Sequence, residues 1–170
     1  SMVRTRSGLL VGTGGKGAGI YGVDRKGQAE LVWSDKDVKF VWDIIEAPGG
    51  KIYAGTGPKA QVFEITAGKG VAIYTPGAKP KNKNILCLAR TKSGLIYAGT
   101  DEMGLVLEID PKDKSSRAIL DAKEKEIAAI VLDPTGDGLY AATSDASKAN
   151  KDGKVAPSAA KTGRAEPAKA

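Results

Sequence analysis

The chain has no histidine among its 170 residues and only one cysteine, Cys87. Without histidine, Ser-His-Asp triads, His-containing metal sites and the commonest general base are all excluded. One cysteine excludes an intrachain disulfide. Cys87 sits in the apolar run Asn84-Ile-Leu-Cys-Leu-Ala89, which predicts a buried, inert thiol rather than a nucleophile. Aromatic residues make up 5% of the chain, too few to interleave broadly with basic residues in the manner of a nucleic-acid surface. No apolar stretch approaches the roughly 18 residues of a membrane-spanning helix. No signal-peptide pattern opens the chain, so no membrane association is expected and the cytoplasm is the default location. Ser1-Met2 reads as a cloning remnant.

What the chain does have is repetition. Gly8-Leu-Leu-Val-Gly-Thr-Gly14 returns as Gly50-Lys-Ile-Tyr-Ala-Gly-Thr-Gly57, as Gly94-Leu-Ile-Tyr-Ala-Gly-Thr-Asp101, and more weakly as Gly138-Leu-Tyr-Ala-Ala-Thr-Ser144. The matched positions Gly12, Gly55, Gly99 and Ala142 are 43, 44 and 43 residues apart. A period of about 40–45 residues is that of one four-stranded propeller blade. Alternation and turn residues divide the second copy into strands at 40–46, 51–56, 61–66 and 71–75, and the third at 85–89, 95–100, 105–110 and 117–120. The first copy supplies strands two to four only, at 9–12, 20–24 and 30–33. The last supplies strands one and two, at 126–132 and 139–143. Helical composition competes at 124–132, but alignment with the earlier first strands favours a strand. The copies span about 8–34, 37–76, 84–121 and 126–144, within a partial propeller over 3–144. Residues 145–170 are rich in Ala, Lys, Gly and Pro and read as a disordered basic tail.

Tyr53-Ala-Gly-Thr56 with Val62-Phe-Glu-Ile65, and Tyr97-Ala-Gly-Thr100 with Val106-Leu-Glu-Ile-Asp110, resemble the blades of bacterial two-component-regulator and quinoprotein-like β-propellers. The resemblance covers about residues 8–144. It implies an all-β propeller with each copy's first strand innermost, lining a central channel, and it carries no specific activity. Three and a half copies fall short of the four to eight blades of closed propellers. An open arc would expose strand edges and apolar faces. The expectation is therefore a homodimer closing a six-bladed ring, with Ile127 and Ile130 on the donated strand of one chain and Leu9 and Val11 on the receiving blade of the other.

Gly12-Thr-Gly-Gly-Lys-Gly17 fits the glycine spacing of a dinucleotide-binding loop, yet the strand Ile20-Tyr-Gly-Val-Asp24 follows where that loop needs a helix. A hairpin turn is the better reading. The acidic loops 110–113 and 133–137 suit Asp-Pro turns rather than calcium sites. No metal and no cofactor is expected. Trp33 and Trp42 are assigned to core packing. Asp43 lies on an innermost strand, aligned with Cys87 and Ala129, where a carboxylate would face the channel with no second carboxylate to form an acid–base pair.

The net charge of +6 is half contributed by the tail. Loops of one rim gather Lys16, Lys36, Lys39, Lys59, Lys79, Lys81, Lys83, Lys123 and Lys125 against six acids. Such a rim focuses potential toward an anionic ligand or a protein. A non-enzymatic binding or scaffold module, using Lys16, Lys36, Lys39, Lys59, Lys81, Lys83 and Asp43, is the favoured reading. A channel-based lyase or hydrolase, or a nucleic-acid binder using the rim and tail, are the alternatives.

Overall fold

The computed structural model describes residues 1–77, 81–135 and 138–145. These form fourteen strands: β1 (Met2–Arg4), β2 (Gly8–Gly12), β3 (Ile20–Asp24), β4 (Ala29–Trp33), β5 (Phe40–Ala47), β6 (Lys51–Gly57), β7 (Val62–Thr66), β8 (Lys69–Tyr74), β9 (Ile85–Arg90), β10 (Ile96–Thr100), β11 (Leu105–Ile109), β12 (Ser116–Asp121), β13 (Glu126–Leu132) and β14 (Leu139–Ser144). The one helical turn among the described residues is a 3-10 turn at Pro48–Gly50. Three antiparallel four-strand meanders and one two-strand pair follow in chain order: β1 to β4, β5 to β8, β9 to β12, then β13 with β14. The expected all-β architecture of successive blade-like sheets is present, and 126–132 is a strand. Among the described residues no closed ring is found.

One expectation is corrected. The first copy has its own first strand, because β1 pairs with β2 through Met2–Val11, Val3–Leu10 and Arg4–Leu9. Met2 is thus part of the fold. The edge of β2 assigned to a donated strand is already occupied.

Each residue of the repeated motif has a separate task. The tyrosine pairs across the sheet with the glutamate of the next strand: Tyr53 donates to Glu64 Oε2 at 3.1 Å and Tyr97 to Glu108 Oε2 at 3.0 Å. A cation braces each pair from outside, Lys51 on Glu64 at 3.0 Å and Arg117 on Glu108 at 2.7 Å. The threonine closes the hairpin that follows. Thr13 and Thr56 donate to the carbonyls of Gly19 and Gln61, and Thr100 Oγ1 accepts from Leu105 N–H.

The glycine makes room for the next sheet. A Cβ on Gly12 would lie 2.7 Å from Val41 Cγ1, one on Gly55 2.8 Å from Ile85 Cγ2, and one on Gly99 2.7 Å from Ile127 Cγ2. In each case the intruding residue belongs to the first strand of the following copy. These contacts sit within three apolar cores, one per sheet–sheet interface. Leu10, Ile20, Trp33, Val41 and Phe63 pack between the first two sheets. Val62, Ile85, Leu88 and Leu107 pack between the second and third, and Cys87, Val106, Ile127 and Ile130 between the third and fourth.

Candidate anion-binding rim

The loop between β2 and β3 and the connection from β4 to β5 meet on one rim of the arc. Gly15 N–H donates to Lys39 O at 2.9 Å and Val41 N–H to Thr13 O at 3.0 Å, which locks the two segments side by side. Gly15 and Gly17 adopt positive φ, so the loop turns back sharply. Between the segments lies an open cleft of about 660 Å³, lined by Gly15–Ala18, Tyr21, Leu31, Ser34–Lys36, Val38 and Lys39. The glycine-rich stretch is a hairpin running into β3, as the sequence implies, and no helix N-terminus follows it.

Lys16, Lys36 and Lys39 all line this cleft, and one acid, Asp35, shares it. Asp35 Oδ1 accepts from Asp37 N–H at 2.8 Å, which shapes the loop. Asp37 itself is neutralised by Lys59 at 3.0 Å. The hydrogen bond and charge of Lys59 hold the Asp37 carboxyl below its ordinary pKa, with Lys36 and Lys39 adding to the effect. Of the other rim lysines, Lys83 pairs with Glu102 at 3.3 Å, Lys81 is exposed on the loop before β9, and Lys79 lies outside the described residues. The expected lysine rim thus resolves into one cluster of three and scattered neighbours.

Phe40 follows the cleft residue Lys39 in the chain, and Trp42 lies two positions further along β5. Their rings stack with centroids 5.2 Å apart at 23°, and they remain 38% and 40% exposed. Trp33 is buried, as expected, whereas Trp42 is not a core residue. The cause is a β-bulge: pairing of β5 with β6 skips from Val41–Thr56 to Asp43–Gly55, leaving Trp42 out of register. Trp42 Nε1 donates to Asn84 Oδ1 at 2.8 Å. Asn84 Nδ2 in turn donates to Asp101 Oδ2 at 2.7 Å, and Asp101 Oδ1 accepts the backbone N–H groups of Lys83 and Asn84. This network, anchored on the buried Asp101, is not among the sequence expectations. Its signal in the sequence is the asparagine and aspartate flanking two first-strand and second-strand segments, which alone does not reveal their pairing.

Asp43 is not a free channel carboxylate. Its Oδ2 accepts from Leu88 N–H in the next sheet at 2.8 Å, and its Oδ1 from Ile44 N–H at 2.9 Å. Burial raises its pKa, with the two N–H bonds opposing that shift. Cys87, at the aligned position, donates from Sγ to Ile127 O at 3.3 Å. Its thiol is pushed up to about 11 by burial and by the Asp43 charge, so it stays protonated at neutral pH. The first-strand position therefore staples one sheet to the next.

The residues assigned to an assembly edge divide. Ile127 and Ile130 are buried against the third sheet of their own chain. Leu9 is exposed and Val11 half-buried on the far face of the first sheet. Among the described residues no group of His, Cys, Asp or Glu is arranged to hold a metal ion. Among the described residues no helix is long and apolar enough to cross a membrane.

No protein-family model matches the chain, and no curated protein matches it. Among solved structures it is similar to the extracellular domain of the putative one-component system BT4673 from B. thetaiotaomicron, with a TM-score of 0.64 and 18% identity, over 85% of this chain and 20% of that one. A second structure of that domain, described as a putative hybrid two-component system, matches with the same TM-score and identity over 21% of its length. The chain thus spans about a fifth of these relatives, and the likeness is one of fold.

Proposed function

We propose that the chain is a non-enzymatic binding module whose rim receives an anionic group in the Lys16–Lys36–Lys39 cleft. The observation that carries this reading is the convergence of three lysines, from two separate connections, on one cleft with a single acid. Like charges held together repel, and an arriving anion relieves that repulsion. The absence of catalytic work is supported by the state of the two channel-side candidates: Asp43 has both oxygens engaged, and Cys87 is protonated. Both solved structures are of the extracellular domain of BT4673, described as a putative one-component or hybrid two-component system; a sensory, extracellular role is the reading we adopt in place of the cytoplasmic default.

The test is calorimetric titration with inorganic pyrophosphate at low ionic strength. Binding should weaken steeply with salt and be lost in a Lys36→Ala/Lys39→Ala double variant that remains folded. Heat changes equal in the wild type and the double variant would refute the site.

We also propose that a second copy completes the arc, in a form revised by β1. Contact is face to face, the exposed Met2 and Leu9 of one chain meeting Val131 and Tyr140 of the other, without strand donation.

A further inference from the structure

We propose that the Phe40–Trp42 pair and the adjoining lysine cleft form one site for a nucleotide, its base stacked on the aromatic rings and its phosphate held by Lys16, Lys36 and Lys39. This rests on the anion-binding reading above and adds the chemistry of what carries the anion.

Four observations converge. Phe40 and Trp42 present a ready-made stacked surface on the rim, exposed by more than a third each. Aromatic faces in this state bind other π-faces, and stacking tolerates any base. The surface is held in advance: Trp42 is fixed through Asn84 to the buried carboxylate of Asp101. A ligand therefore need not pay to order it. The rings do not line the cleft, but Phe40 adjoins both of the segments that form it. Phe40 lies directly on Gly14, where a Cβ would come within 2.9 Å of Phe40 Cδ1, and the cleft begins at the next residue, Gly15. On the other side, Lys39, a cleft residue, immediately precedes Phe40 in the chain.

Charge selects the rest of the ligand. Asp37 is occupied by Lys59, which leaves Asp35 opposed to three lysines in the cleft. A planar ring alone would ignore those lysines, and a simple anion would ignore the rings. A nucleotide uses both. The shared chemistry is a base joined to a phosphate, found in a free nucleotide and in single-stranded nucleic acid.

Adenosine monophosphate and an eight-residue oligothymidylate should be titrated against the full chain at low salt, followed by tryptophan quenching and by anisotropy of the labelled oligomer. Quenching should come from Trp42, because Trp33 is buried. Trp42→Ala should weaken either ligand by about tenfold and leave pyrophosphate binding unchanged, while Trp42→Phe, which keeps an aromatic ring, should retain most of the affinity. Thermal melts of both variants establish that they fold. Quenching by the monophosphate assigns the free nucleotide, and binding of the oligomer alone assigns the strand; either supports the proposal. Pyrophosphate binding as tightly as the monophosphate, with Trp42→Ala silent, would overturn the base platform and leave the anion site standing. Polyglutamate binding as tightly as the oligomer would also overturn it, and binding of none of these probes would remove both readings.

Discussion

Asp43 shows how much a single side chain can do between two sheets. Its carboxylate bridges Ile44 and Leu88, so it joins the second and third sheets at their first strands. Truncation to alanine would strand the Leu88 N–H, and a buried unpaired donor costs about 1–3 kcal/mol. Asp43→Ala should lower stability by that amount, measurable as a reduced denaturation midpoint with an unchanged slope. The charge itself works the other way. Because burial raises the folded pKa above the ordinary 3.8, ionisation of Asp43 erodes stability as pH rises through the folded value, and its protonated form is favoured below 3.8. A role of this kind was hidden from the sequence, since the partners are backbone N–H groups with no signature of their own. Trp42 was hidden for a different reason. A large apolar residue on a strand reads as packing, and the bulge between Val41 and Asp43, which leaves Trp42 unpaired with β6, has no signal in the sequence.

At the level of strands, the repeat is legible because three separate constraints recur at fixed spacing. Tyrosine must meet glutamate, glycine must admit the neighbouring sheet, and threonine must close the hairpin. Gly99 faces both Cys87 Sγ and Ile127, at 2.5 and 2.7 Å from the position of a Cβ. Gly99→Val should therefore cost about 3 kcal/mol or more through overpacking, read as a large fall in melting temperature. Gly27→Ala is the contrast: its Cβ meets open space, and its penalty comes from the positive φ alone. The strand β1 escaped detection because only Val3 of its three residues packs against a core. The cue was in the turn. Thr5-Arg-Ser-Gly8 repeats Thr91-Lys-Ser-Gly94, and in both the threonine Oγ1 accepts from the glycine N–H. A strand before one turn implies a strand before the other. The lysines of the rim were legible as loop residues, but their grouping depends on how the 13–19 and 34–39 segments hydrogen-bond, which no spacing rule encodes.

Three cores hold four sheets in series, and among the described residues two faces of the series are left uncovered. Met2 and Leu9 lie exposed at one end, Val131 and Tyr140 at the other. Apolar surface left in water forgoes about 25 cal/mol per Å², which favours association of these faces. Light scattering across a micromolar dilution series should show a dimer giving way to monomer, and Leu9→Lys should shift the midpoint to higher concentration. A monomer at every concentration would remove the paired-copy proposal.

Such a dimer would not be uniformly strong around its circumference. At each internal junction a glycine yields to a bulky first-strand residue of the following sheet. At the second and third sheets a polar side chain also crosses to the neighbour. In the fourth sheet Ala142 stands in the glycine's place, opposite Ala129 where the others have Asp43 or Cys87. That face offers neither a recess nor a hydrogen bond to whatever lies against it. Heat, dilution or mechanical load should consequently act there first, parting the assembly along a fault line while the three junctions within each chain still hold.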